Sequence, residues 1–232
     1  MEKYKILSFS LSLFLCLACS NPSSPNNHAD TAAHDNMSIE ERLAPTGEIG
    51  GHAFVDLGLI ALWSTQNMGA DNPEEYGDYY AWGELRPKYE YKFNNSRTYG
   101  KVMDDITTDP DYDVARKEWS YSWMLPSKED VEELLENCEI EPFTYHKTEG
   151  WIVISKINGK AIFIPAAGYR DSSGVQFEDE IAHLWTGTSD TKGIKQAYNL
   201  RLKGTKYKGE WTERFLGFPI RPVAVYFNDF DE

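Results

Sequence analysis

The clearest periodic pattern in the chain lies at residues 127–138, where apolar side chains recur at helical spacing. They form one stripe, made of Val131, Leu134, Leu135 and Cys138. The opposite face is acidic and carries Glu129, Glu132, Glu133 and Glu136. Ser127 followed three residues later by Asp130 is typical of a capped helix start. The pattern predicts one main helix whose stripe is buried against the rest of the chain and whose glutamates point to water.

Short apolar or alternating runs elsewhere predict strands. They lie at residues 52–58, 62–67, 79–83, 184–189, 197–202 and 218–225. The best hairpin signal joins residues 151–157 to 160–164 through Asn158-Gly159, a pair typical of a type I′ turn. Pro219 and Pro222 favour either an edge position for the last strand or a place at its ends. Residues 84–110 have little periodicity and predict a long irregular loop. The whole pattern predicts an α+β fold of short antiparallel strands, one main helix and long loops.

The start of the chain predicts its compartment. Lys3 and Lys5 precede an apolar run at residues 6–17 that is too short to span a bilayer and is typical of a cleaved signal peptide. The run ends at Ala18-Cys19, which resembles the lipobox of bacterial lipoproteins, where the cysteine is acylated. An ordinary secretory signal cut nearby is the alternative. We expect residues 1–18 to be a lipoprotein signal peptide and Cys19 to anchor an outer-membrane lipoprotein that faces the periplasm or the cell surface.

Composition then divides the rest of the chain. Residues 19–46 are rich in Asn, Pro, Ser and Ala and predict a flexible tether, in which His28 and His34 reflect linker composition. Residues 38–43 of this tether could form a helical turn. Residues 47–232 are expected to form a single globular domain. Of the three cysteines, Cys138 alone belongs to that domain, so no internal disulfide is expected. Its place on the apolar stripe predicts a buried packing residue.

The charge of the chain argues against one class of partner. Removal of residues 1–18 would take away Lys3, Lys5 and Glu2 and leave 21 basic against 36 acidic side chains, a net charge of −15. Such a surface repels the phosphate backbone, so nucleic acid is not an expected partner.

Aromatic residues offer the main candidates for ligand binding. Tyr79, Tyr80, Tyr169 and Trp211 could present flat platforms for sugar rings, with Arg170 and Asp171 as polar contacts. The alternative is that most aromatic side chains form the core. That interpretation is preferred for four residues inside strand-like runs, namely Trp63, Trp82, Trp123 and Trp185.

An acidic run at residues 104–113 raises the question of a metal. Hard oxygen ligands at Asp109, Asp111 and Asp113 could hold a structural calcium ion. An EF-hand loop starting at Asp109 fails, because its sixth position would be Val114 and its twelfth Ser120. A solvated acidic loop is the preferred interpretation, and no cofactor is otherwise expected.

Several ordered motifs together resemble a known family. They are VDLGL (55–59), LWSTQNMGA (62–70), YGDYYAWGE (76–84), WMLPS (123–127), FIPAAGYR (163–170), LWTGT (184–188) and GFPIRPV (217–223). In order and content they are similar to the Fibrobacter succinogenes major paralogous domain family of Bacteroidetes lipoproteins. The resemblance covers residues 50–225 and implies a C-type lectin-like fold without an established activity. The chain departs from the family at WMLP, where Trp-Arg-Met-Pro is usual. The sugar-coordinating tripeptides of calcium-dependent lectins are missing, since Glu141-Pro142 is followed by Phe143.

These observations favour a membrane-anchored, non-catalytic binding module for glycan or protein ligands. A structural or accessory subunit of a cell-envelope assembly is the second hypothesis. A glycan-active hydrolase is the third, with Glu84, Asp78 and Glu178 as the carboxylates that could pair. Catalysis is not expected, because His52, His146 and His183 are scattered and no serine or cysteine elbow accompanies them.

The lipid anchor leads to a first prediction. Replacing Cys19 with Ala should remove the acylation site and release the protein from membranes into the soluble fraction, because the remaining chain would have no lipid attachment. Detergent phase partitioning of Cys19→Ala and the native chain measures this. Cys16→Ala is the matched control and should stay in the detergent phase. If Cys19→Ala also stays there, the anchor hypothesis is wrong.

Overall fold

The computed structural model describes residues 36–225. Residues 1–18, Cys19, His28 and His34 lie outside the described residues, so the signal peptide, the anchor and most of the tether remain predictions. Within residues 36–225, no helix combines the length and the apolar character needed to cross a membrane.

Antiparallel strands dominate the fold, and helices are few. The helices are α1 (Ile39–Leu43), α2 (Val114–Glu118) and α3 (Lys128–Asn137), with one 3-10 turn at Phe93–Asn95. The first strands are β1 (Gly47–Ile49), β2 (His52–Val55), β3 (Leu62–Ser64), β4 (Trp123–Met124), β5 (Cys138–Tyr145), β6 (Thr148–Ser155) and β7 (Ala161–Pro165). The others are β8 (Tyr169–Asp171), β9 (Gly174–Gln176), β10 (Ala182–Ser189), β11 (Gln196–Lys203), β12 (Lys206–Glu213) and β13 (Val223–Ala224). The predicted mixture of helix and short antiparallel strand is confirmed, with strand the larger part.

The strands form four sheets. One has the order β1-β2-β3-β13-β4, two are the meanders β5-β6-β7 and β10-β11-β12, and the fourth is the β8-β9 hairpin. Strand β13 pairs with both β3 and β4, so it is not an edge strand, and the prolines lie at the strand's end, the other predicted place for them. Pro219 and Pro222 fit there because they precede the strand and are used only as acceptors. Their carbonyls receive bonds from the amides of Trp185 (3.1 Å) and Ser64 (3.0 Å).

Helix α3 follows the predicted pattern with two corrections. Ser127 and Asp130 form the expected capping box, and Val131 and Leu134 are buried. The helix ends at Asn137, however, and Cys138 is extended as the first residue of β5. It is buried as expected, and this burial raises the pKa of its thiol to about 12. Glu133 does not point to water but is half-buried, and its carboxylate accepts a bond from the Ile60 amide at 3.2 Å.

The predicted hairpin exists, but its turn differs. Strands β6 and β7 pair as expected, and the Ser155 amide bonds to the Lys160 carbonyl at 2.8 Å, which closes a longer loop. Only Gly159 of the Asn158-Gly159 pair has positive φ, whereas a type I′ turn needs it at both residues. Two successive positive φ values occur instead at His146 (47°) and Lys147 (75°), between β5 and β6.

Other differences concern strand edges and the tether. Residues 79–83 form no named strand, and Tyr80 makes only an isolated bridge to Phe218. Strands β5 and β12 were not predicted. Each lies at the edge of its sheet and carries many exposed polar residues, which hide the apolar pattern of a strand. Helix α1 lies within the stretch expected to be tether and confirms the helical turn predicted there, with Ser38 as its N-cap. Its Arg42 donates to the Gly159 carbonyl at 2.8 Å, so these residues contact the domain.

The core of the described residues consists of two large clusters and a smaller third one that contains Tyr79 and Tyr91. One large cluster surrounds α3 and includes Trp63, and the other surrounds the stacked rings of Trp185 and Phe218 (4.2 Å). The four tryptophans expected in the core are buried there, namely Trp63, Trp82, Trp123 and Trp185.

The helix stripe gives a second prediction. Leu134→Ala should lower the free energy of unfolding by about 2–5 kcal/mol, because a fully buried side chain leaves a cavity. Glu136→Ala is the matched control on the exposed face and should change it by less than about 0.5 kcal/mol. Denaturant titration of both variants measures the difference, and equal losses would mean that the helix face is wrongly assigned.

Candidate functional site

A groove of about 420 Å³ lies where three separate segments meet. The long loop supplies residues 91–94, the β8-β9 hairpin supplies Tyr169, Asp171 and Ser172, and the segment before β13 supplies Phe215 and Leu216. We call this the aromatic groove. Its volume lies within the range of small-molecule sites, about 300–1,000 Å³.

Backbone pairing positions two of the segments. Arg170 of β8 and Gly217 exchange two amide-to-carbonyl bonds, both 2.8 Å, which fixes Tyr169 relative to Phe215 and Leu216. Gly217 has a steric role, because a β-carbon there would lie 2.7 Å from the Tyr91 ring. Tyr91 is itself buried, and its hydroxyl donates to the Tyr79 carbonyl. The absence of a side chain at Gly217 therefore lets the long loop close onto the hairpin.

The walls of the groove are aromatic. Tyr169 is half-buried, with its ring 5.9 Å from Phe177 and 5.9 Å from His183. The other wall contains Phe93, 63% exposed, and Phe215, each of which contacts the Tyr99 ring, at 6.3 and 5.3 Å. The groove therefore presents flat apolar ring faces, and each of these rings packs against another aromatic ring of the protein.

Polar groups also line the groove. The Asp171 carboxylate accepts a bond from the Ser173 amide at 2.7 Å, which holds it in the hairpin turn. Ser172 contributes a hydroxyl and Asn94 an amide. The Lys92 ammonium forms an ion pair with Glu90 at 2.6 Å. The groove thus combines aromatic faces with both donors and acceptors of hydrogen bonds.

The structure brings together only part of the predicted ligand set. Tyr169 and Asp171 line the groove. Arg170, between them on β8, does not line it, because successive strand residues point to opposite sides. Its guanidinium lies 5.4 Å from the centre of the Tyr79 ring, and its Nε is buried without a hydrogen-bond partner among the described residues.

Three other predicted platforms lie elsewhere. Tyr79 and Tyr80 are buried, so they cannot stack on a ligand at the surface. The Tyr79 hydroxyl donates to the Ala167 carbonyl at 2.6 Å, and burial raises the pKa of both phenols. Trp211 is 40% exposed but lies on β12 against Tyr198, with ring centroids 5.1 Å apart, and does not line the groove.

Phe93, Asn94, Ser172 and Phe215 were not predicted from the sequence. The one signal available in the sequence was Phe93, an aromatic residue in a loop without periodicity, and such a signal does not indicate the direction of the ring.

Asp171 is the one carboxylate among the described residues that line the groove. The acids considered for hydrolysis, Glu84, Asp78 and Glu178, do not line it.

The acidic run has a structural role at Asp113. This buried carboxylate caps α2 by accepting from the Arg116 amide (3.0 Å), and it also accepts from the amides of Thr108 (3.0 Å) and Leu125 (2.9 Å). Burial raises its pKa to about 6, although the amide bonds act in the opposite direction. Within residues 36–225, no three His, Cys, Asp or Glu side chains are placed to hold a metal ion. The structure therefore does not assemble Asp109, Asp111 and Asp113 into a ligand set.

Comparison with known proteins yields no relative: no family model matches the chain, and no curated protein or solved structure matches it either.

Asp113 gives a third prediction. Asp113→Ala should lower the free energy of unfolding by about 2–4 kcal/mol, because it removes a helix cap and leaves two further amides without an acceptor. Asp111→Ala is the matched control, since its side chain is exposed, and should change it by less than about 0.5 kcal/mol.

Denaturant titrations in calcium and in chelator measure both variants. We expect the same losses in both conditions. If calcium stabilises the native protein and both substitutions remove that stabilisation, Asp111 and Asp113 are calcium ligands after all.

Proposed function

We propose that this chain is a membrane-anchored, non-catalytic module that binds carbohydrate in the aromatic groove. The observation that carries the proposal is the pairing of Tyr169, Phe93 and Phe215 with the polar groups of Asp171 and Asn94 in one cavity. A sugar ring has an apolar face that packs on an aromatic ring and hydroxyls that exchange hydrogen bonds with carboxylate and amide groups. The groove supplies both kinds of contact.

The resemblance to the Fibrobacter succinogenes major paralogous domain family supports a C-type lectin-like scaffold for this module. Binding would rely on ring stacking and direct hydrogen bonds and not on a calcium ion, because the sugar-coordinating tripeptides are missing from the sequence. Acylation at Cys19 would hold the domain at the outer membrane, where it meets glycans of the periplasm or the cell surface.

A second function is favoured by the exposed apolar residues of the long loop. Tyr89 (96% exposed) and Val102 (83%) lie on the same loop as Phe93. Such side chains are typical of a surface that contacts another protein. On this hypothesis the chain is a structural or accessory subunit of a cell-envelope assembly, and the loop makes the contact.

The groove gives a fourth prediction. Phe93→Ala should weaken binding of the glycans recognised by the native protein about five- to thirty-fold, which corresponds to a stacking contribution of about 1–2 kcal/mol. Phe93 is largely exposed, so the fold should persist. Asp171→Asn keeps an acceptor for the Ser173 amide but removes the charge, and should also weaken binding.

A glycan array followed by calorimetry on the best ligand measures these effects. Trp211→Ala is the matched control, because it removes an exposed aromatic ring that lies outside the groove. If Trp211→Ala weakens binding and Phe93→Ala does not, the site is wrongly placed. If no glycan binds and envelope proteins co-purify in a manner that Tyr89→Ser abolishes, the assembly hypothesis replaces the proposal.

A further inference from the structure

A second cavity of about 440 Å³ adjoins the aromatic groove. Asn94 lines both, so the two cavities are neighbours on the same face. The aromatic groove is built of rings, whereas the second cavity contains the charged residues Glu84, Arg86 and Arg97. A ligand longer than one ring that lies in the groove can therefore extend past Asn94 into a site of different chemistry.

The charge of the second cavity is positive. Glu84 is its one carboxylate among the described lining residues, and that carboxylate is already engaged. It accepts from the Lys88 ammonium at 2.8 Å and from the Arg97 amide at 2.9 Å. The charges of Arg86 and Arg97 are therefore not compensated within the cavity.

The two arginines differ in how they are held. The Arg97 guanidinium lies 4.1 Å above the centre of the Tyr112 ring and donates to the Asp111 carbonyl, so its position is fixed before any ligand arrives. Arg86 is exposed and makes no hydrogen bond or ion pair to another described residue. One arginine is preorganised and the other is free to close on a ligand.

This local charge contrasts with that of the whole chain, which is −14. A general surface of this protein repels anions. The second cavity differs from this surface because its two guanidinium groups have no acidic partner. It therefore favours an anionic group on a ligand that is bound in the aromatic groove. Guanidinium pairs with carboxylate and sulfate through paired hydrogen bonds in a planar fork.

We propose that the chain binds acidic oligosaccharides, with one sugar ring in the aromatic groove and the carboxylate or sulfate of a neighbouring unit between Arg86 and Arg97. This inference rests on the proposed function and adds the class of glycan. Asn94, at the junction of the two cavities, would bond to the linkage between the units.

The test compares charged glycans with their neutral counterparts. The probes are oligosaccharides of polygalacturonate and hyaluronate, which carry carboxylates, and of keratan sulfate, which carries sulfate. Each is paired with its carboxyl-reduced or desulfated form. We expect the native protein to bind at least one acidic probe at least tenfold more tightly than its neutral form, with affinity that falls as salt rises. The two groups of probes distinguish a carboxylate from a sulfate.

Substitutions then locate the contact. Arg86→Gln should weaken binding of the acidic probe about tenfold and leave binding of its neutral form unchanged. Arg97→Gln should do the same, and a melting curve checks that the loop is intact. Lys206→Gln is the matched control, since it removes an exposed positive charge on β12, outside both cavities, and should leave affinity unchanged.

The outcomes separate the two proposals. If acidic and neutral probes bind equally, the acidic class is wrong. If acidic probes bind more tightly but Arg86→Gln has no effect, the proposed anion site between the two arginines is wrong. In either case, a loss of binding in Phe93→Ala would still support the groove. If none of the probes binds and Phe93→Ala changes no glycan-array signal, both proposals fall.

Discussion

The fold depends on one buried cation that has no carboxylate partner. Arg221 is fully buried, and its guanidinium donates to Asn67 Oδ1 (2.8 Å) and to the carbonyls of Ser64 (3.2 Å), Thr65 (2.9 Å) and Phe163 (2.9 Å). Burial lowers its pKa to about 9, which still leaves it charged at neutral pH. A charge removed from water must have its donors satisfied, so these acceptors have to stay in place together. Arg221 thereby joins the segment before β13 to the loop after β3 and to β7, which belongs to a different sheet.

The residues that carry the family resemblance meet at such contacts. Asn67, Phe163 and Arg221 come from three of the motifs, at 62–70, 163–170 and 217–223. Two further motifs are joined by indole donors, since Trp82 Nε1 bonds to the Thr186 carbonyl at 2.8 Å and Trp185 Nε1 to the Tyr80 carbonyl at 2.9 Å. Most groove residues lie outside the motifs, at 91–94, 171–172 and 215–216. The motif residues in these contacts therefore hold distant segments of the fold together, whereas the groove is built mostly by residues outside the motifs.

The difference between local patterns and contacts of distant segments explains which predictions succeeded. The sequence predicts helix α3 because its N-cap and its apolar stripe are local in sequence, and it predicts β11 because apolar and polar residue types alternate from Tyr198 to Leu202. The sequence leaves Tyr79 and Tyr80 open as ligand platforms, because a single sequence does not show that their hydroxyls have acceptors inside the protein. The sequence groups Asp113 with the other acidic residues as a calcium candidate. Its contacts with the amides of Thr108 and Leu125 exist only in the folded structure, so the sequence does not show its capping role. Groove residues depend on contacts among three distant segments, and no local pattern encodes them.

The long loop shows how exposed residues can still be positioned. Tyr91 is buried, with its hydroxyl on the Tyr79 carbonyl, and Thr98 is buried, with its hydroxyl donating to the Trp82 carbonyl at 2.8 Å. Residues 92–97 between these two anchors carry the loop side of the aromatic groove and part of the arginine-containing cavity. A short segment fixed at both ends loses less conformational entropy on binding than a free loop of the same composition. The buried Tyr79, which the sequence suggests as a ligand platform, and the core residue Trp82 therefore act on the candidate site through the loop that their carbonyls hold.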